Sequence, residues 1–147
     1  MPTVTIRDET SSGRLISRFE IPLNPPQVTL AQLIRTRVRE EVDRYNTDRG
    51  NVFHGLVRPI DGEDVRDGFR MSQPRPLNWE DLAGVALASF ERAGFAVVVD
   101  GRRIEDLTTR LDLSDEPDVA FLRPETHVVL AEERRGTLSP SGGLRRE

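Results

Sequence analysis

The spacing of apolar residues changes once near the start of the chain, from the period of a strand to that of a helix. Apolar and polar residues alternate in Val4–Arg7 and again in Leu15–Leu23, on either side of a stretch rich in turn-forming residues, 8–13. This pattern predicts a β-hairpin, because successive side chains of a strand point to opposite faces. In the second strand we expect Ile16 on the outer face. The residues expected on its core face are Leu15, Phe19, Ile21 and Leu23.

A single amphipathic helix is predicted after the hairpin. Pro25 and Pro26 end the strand pattern, since proline cannot donate to a sheet. Thr29 and Gln32 have the spacing of a capping box. The apolar residues that follow recur every three or four positions, which places them on one helix face that we expect to lie on the hairpin. They are Leu30, Leu33, Ile34, Val38, Val42 and Tyr45.

The middle of the chain is less regular. Residues 46–78 combine scattered glycine and proline with short apolar pieces, and they predict an irregular insertion within a domain of residues 1–131. A second helix is predicted to begin after Asn78 as its N-cap and to end with Gly94 at its C-cap.

Strand patterns return after the second helix. Phe95–Val99 is a continuous apolar run, which is typical of a strand buried on both faces. Asp100-Gly101 predicts a hairpin turn into a short returning strand. Val119–Leu122 predicts the last strand, and 127–130 is either its extension or part of a long tail. Residues 132–147 are polar and glycine-containing, and we expect a flexible C-terminal tail there.

The composition excludes several functional classes. The chain has no cysteine and only two histidines, so disulfides and cysteine nucleophiles are excluded and no metal site is predicted. We expect both His54 and His127 to be structural. A net charge of −4 argues against nucleic acid as a partner. The longest apolar run is far shorter than the ~18 residues of a membrane span, and no secretory signal is visible. We therefore expect a cytoplasmic protein without a membrane partner.

The order of elements predicts an α+β fold. A hairpin, a covering helix, an insertion, a second helix, a second hairpin and a final strand favour the β-grasp roll, of which ubiquitin is the best-known example. In that roll the first and last strands are parallel neighbours in the middle of the sheet, and a parallel pair requires a long crossover. Another α+β sandwich is the alternative.

Several stretches resemble bacterial ubiquitin-like modifiers, which are encoded in operons with homologues of the conjugation enzymes. The stretches are Val4–Thr10, Leu33–Val38, Phe53–Val57, Asn78–Glu80, Phe90–Phe95 and Val99–Asp106. The resemblance covers roughly residues 3–122 and implies a β-grasp fold without catalytic residues or a cofactor of its own. It implies four partners: a ubiquitin-activating-like enzyme that uses ATP and magnesium, a ubiquitin-conjugating-like enzyme, a JAB-type metallopeptidase and a target protein. Such domains usually dock through an apolar patch on the sheet. Ile16 and one face of Phe95–Val99 are candidates, and the alternative is that both belong to the core.

The tail contains the diglycine that such a modifier uses. Gly142 and Gly143 are followed by Leu144–Glu147, and the resemblance implies a precursor cleaved between Gly143 and Leu144. The Gly143 carboxylate would then be activated and transferred covalently to an amine or a hydroxyl. Glycine suits this role because it has no Cβ and lets a catalytic cleft approach the backbone closely. The alternatives are a non-covalent ubiquitin-like interaction module, whose tail is a linker, and a sulfur carrier; an enzyme is the least favoured class.

Overall fold

The first and last strands that the structure describes lie side by side in the centre of its largest sheet. The computed structural model describes residues 3–47, 50–65 and 68–124. Within these ranges the chain has an α+β fold with two helices and three sheets. The elements are β1 (Thr3–Thr10), β2 (Leu15–Pro22), β3 (Gln27–Thr29), α1 (Leu30–Thr47), β4 (Val52–Phe53), β5 (Gly62–Val65), β6 (Gly68–Met71), α2 (Trp79–Glu91), β7 (Ala96–Val99), β8 (Arg102–Ile104), β9 (Arg110–Asp112) and β10 (Val119–Arg123).

Five strands form the main sheet, in the spatial order β2-β1-β10-β7-β8. β1 and β10 run parallel, with Ile6 opposite Val119 and Asp8 opposite Phe121. The other neighbouring pairs of this sheet are antiparallel. α1 and the elements after it supply the long crossover that a parallel pair requires. The predicted α+β class is therefore confirmed.

Helix α1 has the start and the buried face that its sequence predicts. The backbone N–H of Thr29 donates to Gln32 Oε1 at 2.8 Å, and the N–H of Gln32 donates to Thr29 Oγ1 at 3.2 Å. These reciprocal bonds satisfy two donors that a helix start otherwise leaves unpaired. All six residues of the predicted apolar face are buried, and they form one core with the inner residues of the main sheet.

A β-bulge in β2 exchanges the faces predicted for Leu15 and Ile16. Asp8 pairs with Ser17, whereas the next residue, Glu9, pairs with Leu15, so Ile16 is the extra residue of the bulge. One extra residue shifts the alternation of side chains by one position. Leu15, which was expected in the core, is therefore 48% exposed. Ile16, which was expected on the outer face, lines a cleft on the core side of the sheet.

The segment predicted as an irregular insertion contains a three-stranded antiparallel sheet with β6 between β4 and β5. Phe53 and Met71 are 2% exposed and belong to the common core. Phe53 meets the ring of Tyr45 edge-on, with 5.5 Å between the ring centroids. The insertion therefore packs against α1. Its strands have two to four residues, which is too short for an alternating pattern to be evident in the sequence.

Helix α2 begins as predicted but ends differently. Asn78 is the N-cap, and its side-chain oxygen accepts the N–H of Asp81 at 3.0 Å. At the other end, the N–H of Gly94 donates to the carbonyl of Ser89 at 2.8 Å, as in a Schellman motif. The left-handed residue of this motif is Ala93, with φ 61°, and not the predicted Gly94. Position 94 requires glycine for a different reason: a Cβ there would collide with Ser89.

Strand β7 is buried on one face only, whereas its continuous apolar run predicted burial on both faces. Phe95 and Val97 point into the core and are 5% and 0% exposed. Ala96 and Val98 alternate with them and are half-buried on the outer face of the sheet. A continuous apolar run therefore overestimates the burial of a strand whose outer residues are small.

The second hairpin and the last strand agree with the prediction. Asp100 and Gly101 both have positive φ, 50° and 79°, as a two-residue turn of this kind requires. They join β7 to β8, and β10 occupies the predicted last strand with one further residue. The suggested extension over 127–130 and the tail over 132–147 lie outside the described residues.

The end of α2 yields a test of these backbone assignments. Ala93→Gly should raise the free energy of unfolding by about 0.5–1 kcal/mol, because glycine adopts positive φ without the steric penalty of a Cβ. Gly94→Ala should lower it by about 1 kcal/mol, since the added methyl group is overpacked against Ser89. Urea denaturation measures both values.

Gly84 provides the matched control within the same helix. A Cβ at Gly84 meets no atom within 4 Å, so Gly84→Ala should be stabilising by about 0.5–1 kcal/mol through helix propensity. If Gly84→Ala and Gly94→Ala changed stability in the same direction, the proposed difference between the two glycines would be wrong.

Candidate functional site

The residues predicted to carry the function lie beyond the described part of the chain. Gly142, Gly143 and Leu144 are outside it, and so is His127. The described chain that leads toward them ends with β10 and Pro124. The geometry at the end of β10 is therefore the part of the structure that bears on this site.

The end of β10 is attached to two other parts of the fold by Arg123. Its Nη2 donates to the carbonyl of Gly55 at 2.8 Å, and its Nη1 lies 3.4 Å from Asp8 Oδ2. The side chain is only 14% exposed. Burial, together with repulsion from Arg37, lowers the pKa of Arg123, and the carboxylates of Asp8 and Glu41 oppose that change. The last described strand is thus fixed to β1 and to the insertion.

The guanidinium of Arg37 is the centre of a buried ionic cluster beneath the main sheet. Its Nη1 and Nη2 donate to the two oxygens of Asp8 at 2.6 and 2.5 Å, and its Nε donates to Glu41 Oε2 at 3.0 Å. The side chains of Arg37, Asp8 and Glu41 are 1%, 2% and 6% exposed, respectively. Burial opposes the charge, but Glu41 and Asp8 outweigh it and raise the pKa of Arg37. The guanidinium therefore stays ionised.

Aromatic rings and a backbone amide complete this cluster. The guanidinium carbon of Arg37 lies 4.9 Å from the ring centre of Phe19 and 4.5 Å from that of Phe121, which favours the cation in a desolvated site. The second oxygen of Glu41 accepts the N–H of Leu56 at 3.1 Å. The cluster thus connects β1, β2, α1, β10 and the insertion.

The sequence contained a signal for this cluster that was missed. Arg37 and Glu41 are four positions apart and fall within the angular range of the apolar face that includes Ile34, Val38 and Val42. The residues 8–13 were expected in a turn, but β1 continues to Thr10 and places Asp8 inside the sheet. An Arg–Glu pair on an otherwise apolar helix face predicts a buried ion pair.

A cleft of about 910 Å³ opens beside the cluster. It lies between the first hairpin, the second half of α1 and the insertion, and Arg123 lines it where β10 ends. Its apolar walls include Ile16, Phe19 and Tyr45, and His54 lies exposed at its edge. Within the cluster, the cations of Arg37 and Arg123 balance the charges of Asp8 and Glu41.

Two acidic residues of the insertion form surface ion pairs. Asp61 pairs with Arg75 at 2.8 Å, and Glu63 pairs with Arg70 at 3.3 Å. Both pairs are partly or largely exposed and contribute little stability. The pair of Glu63 and Arg70 joins neighbouring residues of β5 and β6 at the surface of the three-stranded sheet.

The outer face of the main sheet carries a small, partly exposed apolar surface. Ala96, Val98 and Leu122 are half-buried there and Leu15 is exposed, and Val98 pairs with the exposed Arg103 of β8. Of the two candidates for a docking patch, the face of β7 is therefore on this surface. Ile16 is not, because the bulge turns it into the cleft.

Comparison with protein-family models, with curated proteins and with solved structures finds no match to this chain. In the ranges 3–47, 50–65 and 68–124, no group of three or more His, Asp or Glu residues could hold a metal ion. Neither of the helices described is long and apolar enough to cross a membrane. The features that bear on function are the sheet order, the cluster with its cleft, and the outer face.

The cluster yields a test based on two arginines of one helix. Arg37→Met should lower the free energy of unfolding by about 3–5 kcal/mol, because it leaves two buried carboxylates without their main partner. Arg35→Met, at an exposed position of α1, should change it by less than about 0.5 kcal/mol. Thermal and urea unfolding measure the difference.

A neutral partner provides the control for Arg37→Met. Adding Glu41→Gln removes one buried carboxylate and leaves Asp8 paired with Arg123, so the cluster is neutral again and should recover part of the lost stability. If the double variant were less stable than Arg37→Met alone, uncompensated charge would not be the cause of the loss.

Proposed function

We propose that this chain is a ubiquitin-like protein modifier with a β-grasp fold. The observation that carries the proposal is the order β2-β1-β10-β7-β8, in which the first and last strands are parallel neighbours at the centre. That arrangement is the one expected of a β-grasp roll, and α1 covers its concave face. The three-stranded insertion is an addition to the roll between α1 and α2.

The attachment of β10 supports a role for the chain beyond it. A modifier needs a rigid body that partner enzymes recognise and a C-terminal segment that enters their active sites. Arg123 fixes the end of β10 to Asp8 and to the carbonyl of Gly55. About twenty residues separate Arg123 from Gly142, and a fully extended segment of that length would span roughly 65 Å. The diglycine can therefore reach a site distant from the body.

The proposed chemistry takes place at Gly143 in the active sites of partners. Hydrolysis of the Gly143–Leu144 peptide bond by a zinc-activated water frees the Gly143 carboxylate and releases Leu144–Glu147. The activating enzyme then joins that carboxylate to the α-phosphate of ATP, with release of pyrophosphate. Attack on this acyl-adenylate by a nucleophile expels AMP, and a final acyl transfer gives an amide or an ester on the target. The modifier contributes the acyl group.

The absence of lysine limits what such a modifier can build. All 21 basic residues are arginine, so the chain has no ε-amine. A second copy could not be attached to the first through a lysine isopeptide bond. Under the proposed function we expect single attachments, or chains formed through the N-terminal amine or a hydroxyl group.

Processing is tested by mass spectrometry of the full chain after incubation with a JAB-type metallopeptidase, the class of enzyme that the proposed function requires. The intact mass should fall by that of Leu144–Glu147. Replacing Gly142 and Gly143 with alanine should block the cleavage, whereas Gly136→Ala, another glycine of the same tail, should not. An unchanged mass with a peptidase shown to be active on its own would argue strongly against the precursor.

Transfer is tested separately with a chain that ends at Gly143. With the activating enzyme, ATP and magnesium, it should support pyrophosphate exchange and form a covalent conjugate. Deletion of Gly142 and Gly143 should abolish both reactions. Binding that survives this deletion without any conjugate would favour a non-covalent module. Replacement of one oxygen by one sulfur in the intact mass would favour a sulfur carrier.

A further inference from the structure

A second groove lies on the opposite side of α1 from the cleft. It has a volume of about 330 Å³ and is formed by the connection after β2, the first half of α1 and the start of α2. Leu23 and Val28 are buried in its floor, and Pro22 and Pro25 stiffen one wall. The ring of Trp79 closes the other end. The base of the groove is therefore held by core residues that expose little surface, and its accessible lining is a mixture of polar and apolar groups.

The groove is positively charged, and no acidic residue in the described part of its lining balances that charge. Arg35 and Arg39 are exposed on it, and no Asp or Glu of the described residues lines it. The guanidinium carbon of Arg39 lies 5.2 Å from the ring centre of Trp79, which orients the cation over the groove. Neither arginine has an ion-pair partner among the residues that the structure describes. This local surplus contrasts with the net charge of −4 on the whole chain.

The spacing of the two arginines matches an extended peptide. Residues four positions apart on a helix have Cβ atoms about 5–6 Å apart, and alternate residues of an extended strand are about 6.6 Å apart on one face. Two carboxylates on alternate residues of a peptide could therefore meet Arg35 and Arg39 together. An apolar residue beside them would be placed near Pro25 and the ring of Trp79, which also line the groove.

We propose that this groove docks an extended acidic segment of a partner protein, with alternate carboxylates bound by Arg35 and Arg39. A nucleic acid is disfavoured, because the net charge of −4 on the chain repels a polyanion. This inference is independent of the proposed modifier function, since it requires neither the diglycine nor any conjugation enzyme.

Fluorescence anisotropy tests the proposal with the full chain and a labelled peptide that alternates glutamate with leucine. The peptide should bind, and a matched peptide with glutamine in place of glutamate should bind at least about ten-fold more weakly. Arg35→Gln and Arg39→Gln should each weaken binding by about three-fold, and the double variant by about ten-fold. Binding should also weaken between about 0.05 and 0.5 M salt.

The control is a double variant with the same change in net charge. Arg18→Gln with Arg103→Gln alters two exposed arginines of the main sheet, away from the groove, and should leave binding unchanged. Unchanged thermal unfolding verifies that both double variants fold. The proposal is overturned if the glutamate peptide does not bind, if the glutamine peptide binds equally, or if both double variants lose affinity alike. At matched ionic strength, displacement of the peptide by inorganic phosphate or by a single-stranded oligonucleotide would overturn it too.

Discussion

One charged side chain, Arg37, connects the parts of this fold that are distant in sequence. Its guanidinium binds Asp8 from β1 and Glu41 from α1, and it packs between the rings of Phe19 and Phe121. A buried ionic group adds little net stability compared with a well-packed apolar one, but it is costly to leave without its partner. A one-residue shift of β1 would turn Asp8 to the outer face and separate it from Arg37. The cluster therefore penalises alternative registers of the central parallel pair.

The elements that the sequence predicts well are those whose pattern is local. The capping box at Thr29, the apolar face of α1, the N-cap at Asn78 and the turn at Asp100-Gly101 are each determined by residues within a few positions of one another. In each case the short-range interaction on which the prediction is based is also the contact that the structure shows.

The structure differs from the sequence-based predictions where a residue distant in sequence determines the local conformation or burial. The bulge at Ile16 depends on how β2 pairs with β1, and alternation within β2 alone cannot show it. The burial of Asp8 and Arg37 depends on α1 lying over β1, which makes a charged pair part of the core. The groove at Arg35 and Trp79 likewise joins residues from two helices.

The pairing of β1 with β10 also determines when this protein can fold during its synthesis. Ile6 pairs with Val119, so the centre of the main sheet cannot close until nearly all of the described chain has left the ribosome. Contacts between residues so distant in sequence slow folding, because the loop between them must be closed first. Until then the inner face of the N-terminal hairpin has only α1 to cover it, and nascent chains are exposed to aggregation in that interval. The same delay means that the segment after Arg123 emerges at about the time when the body it is attached to becomes complete.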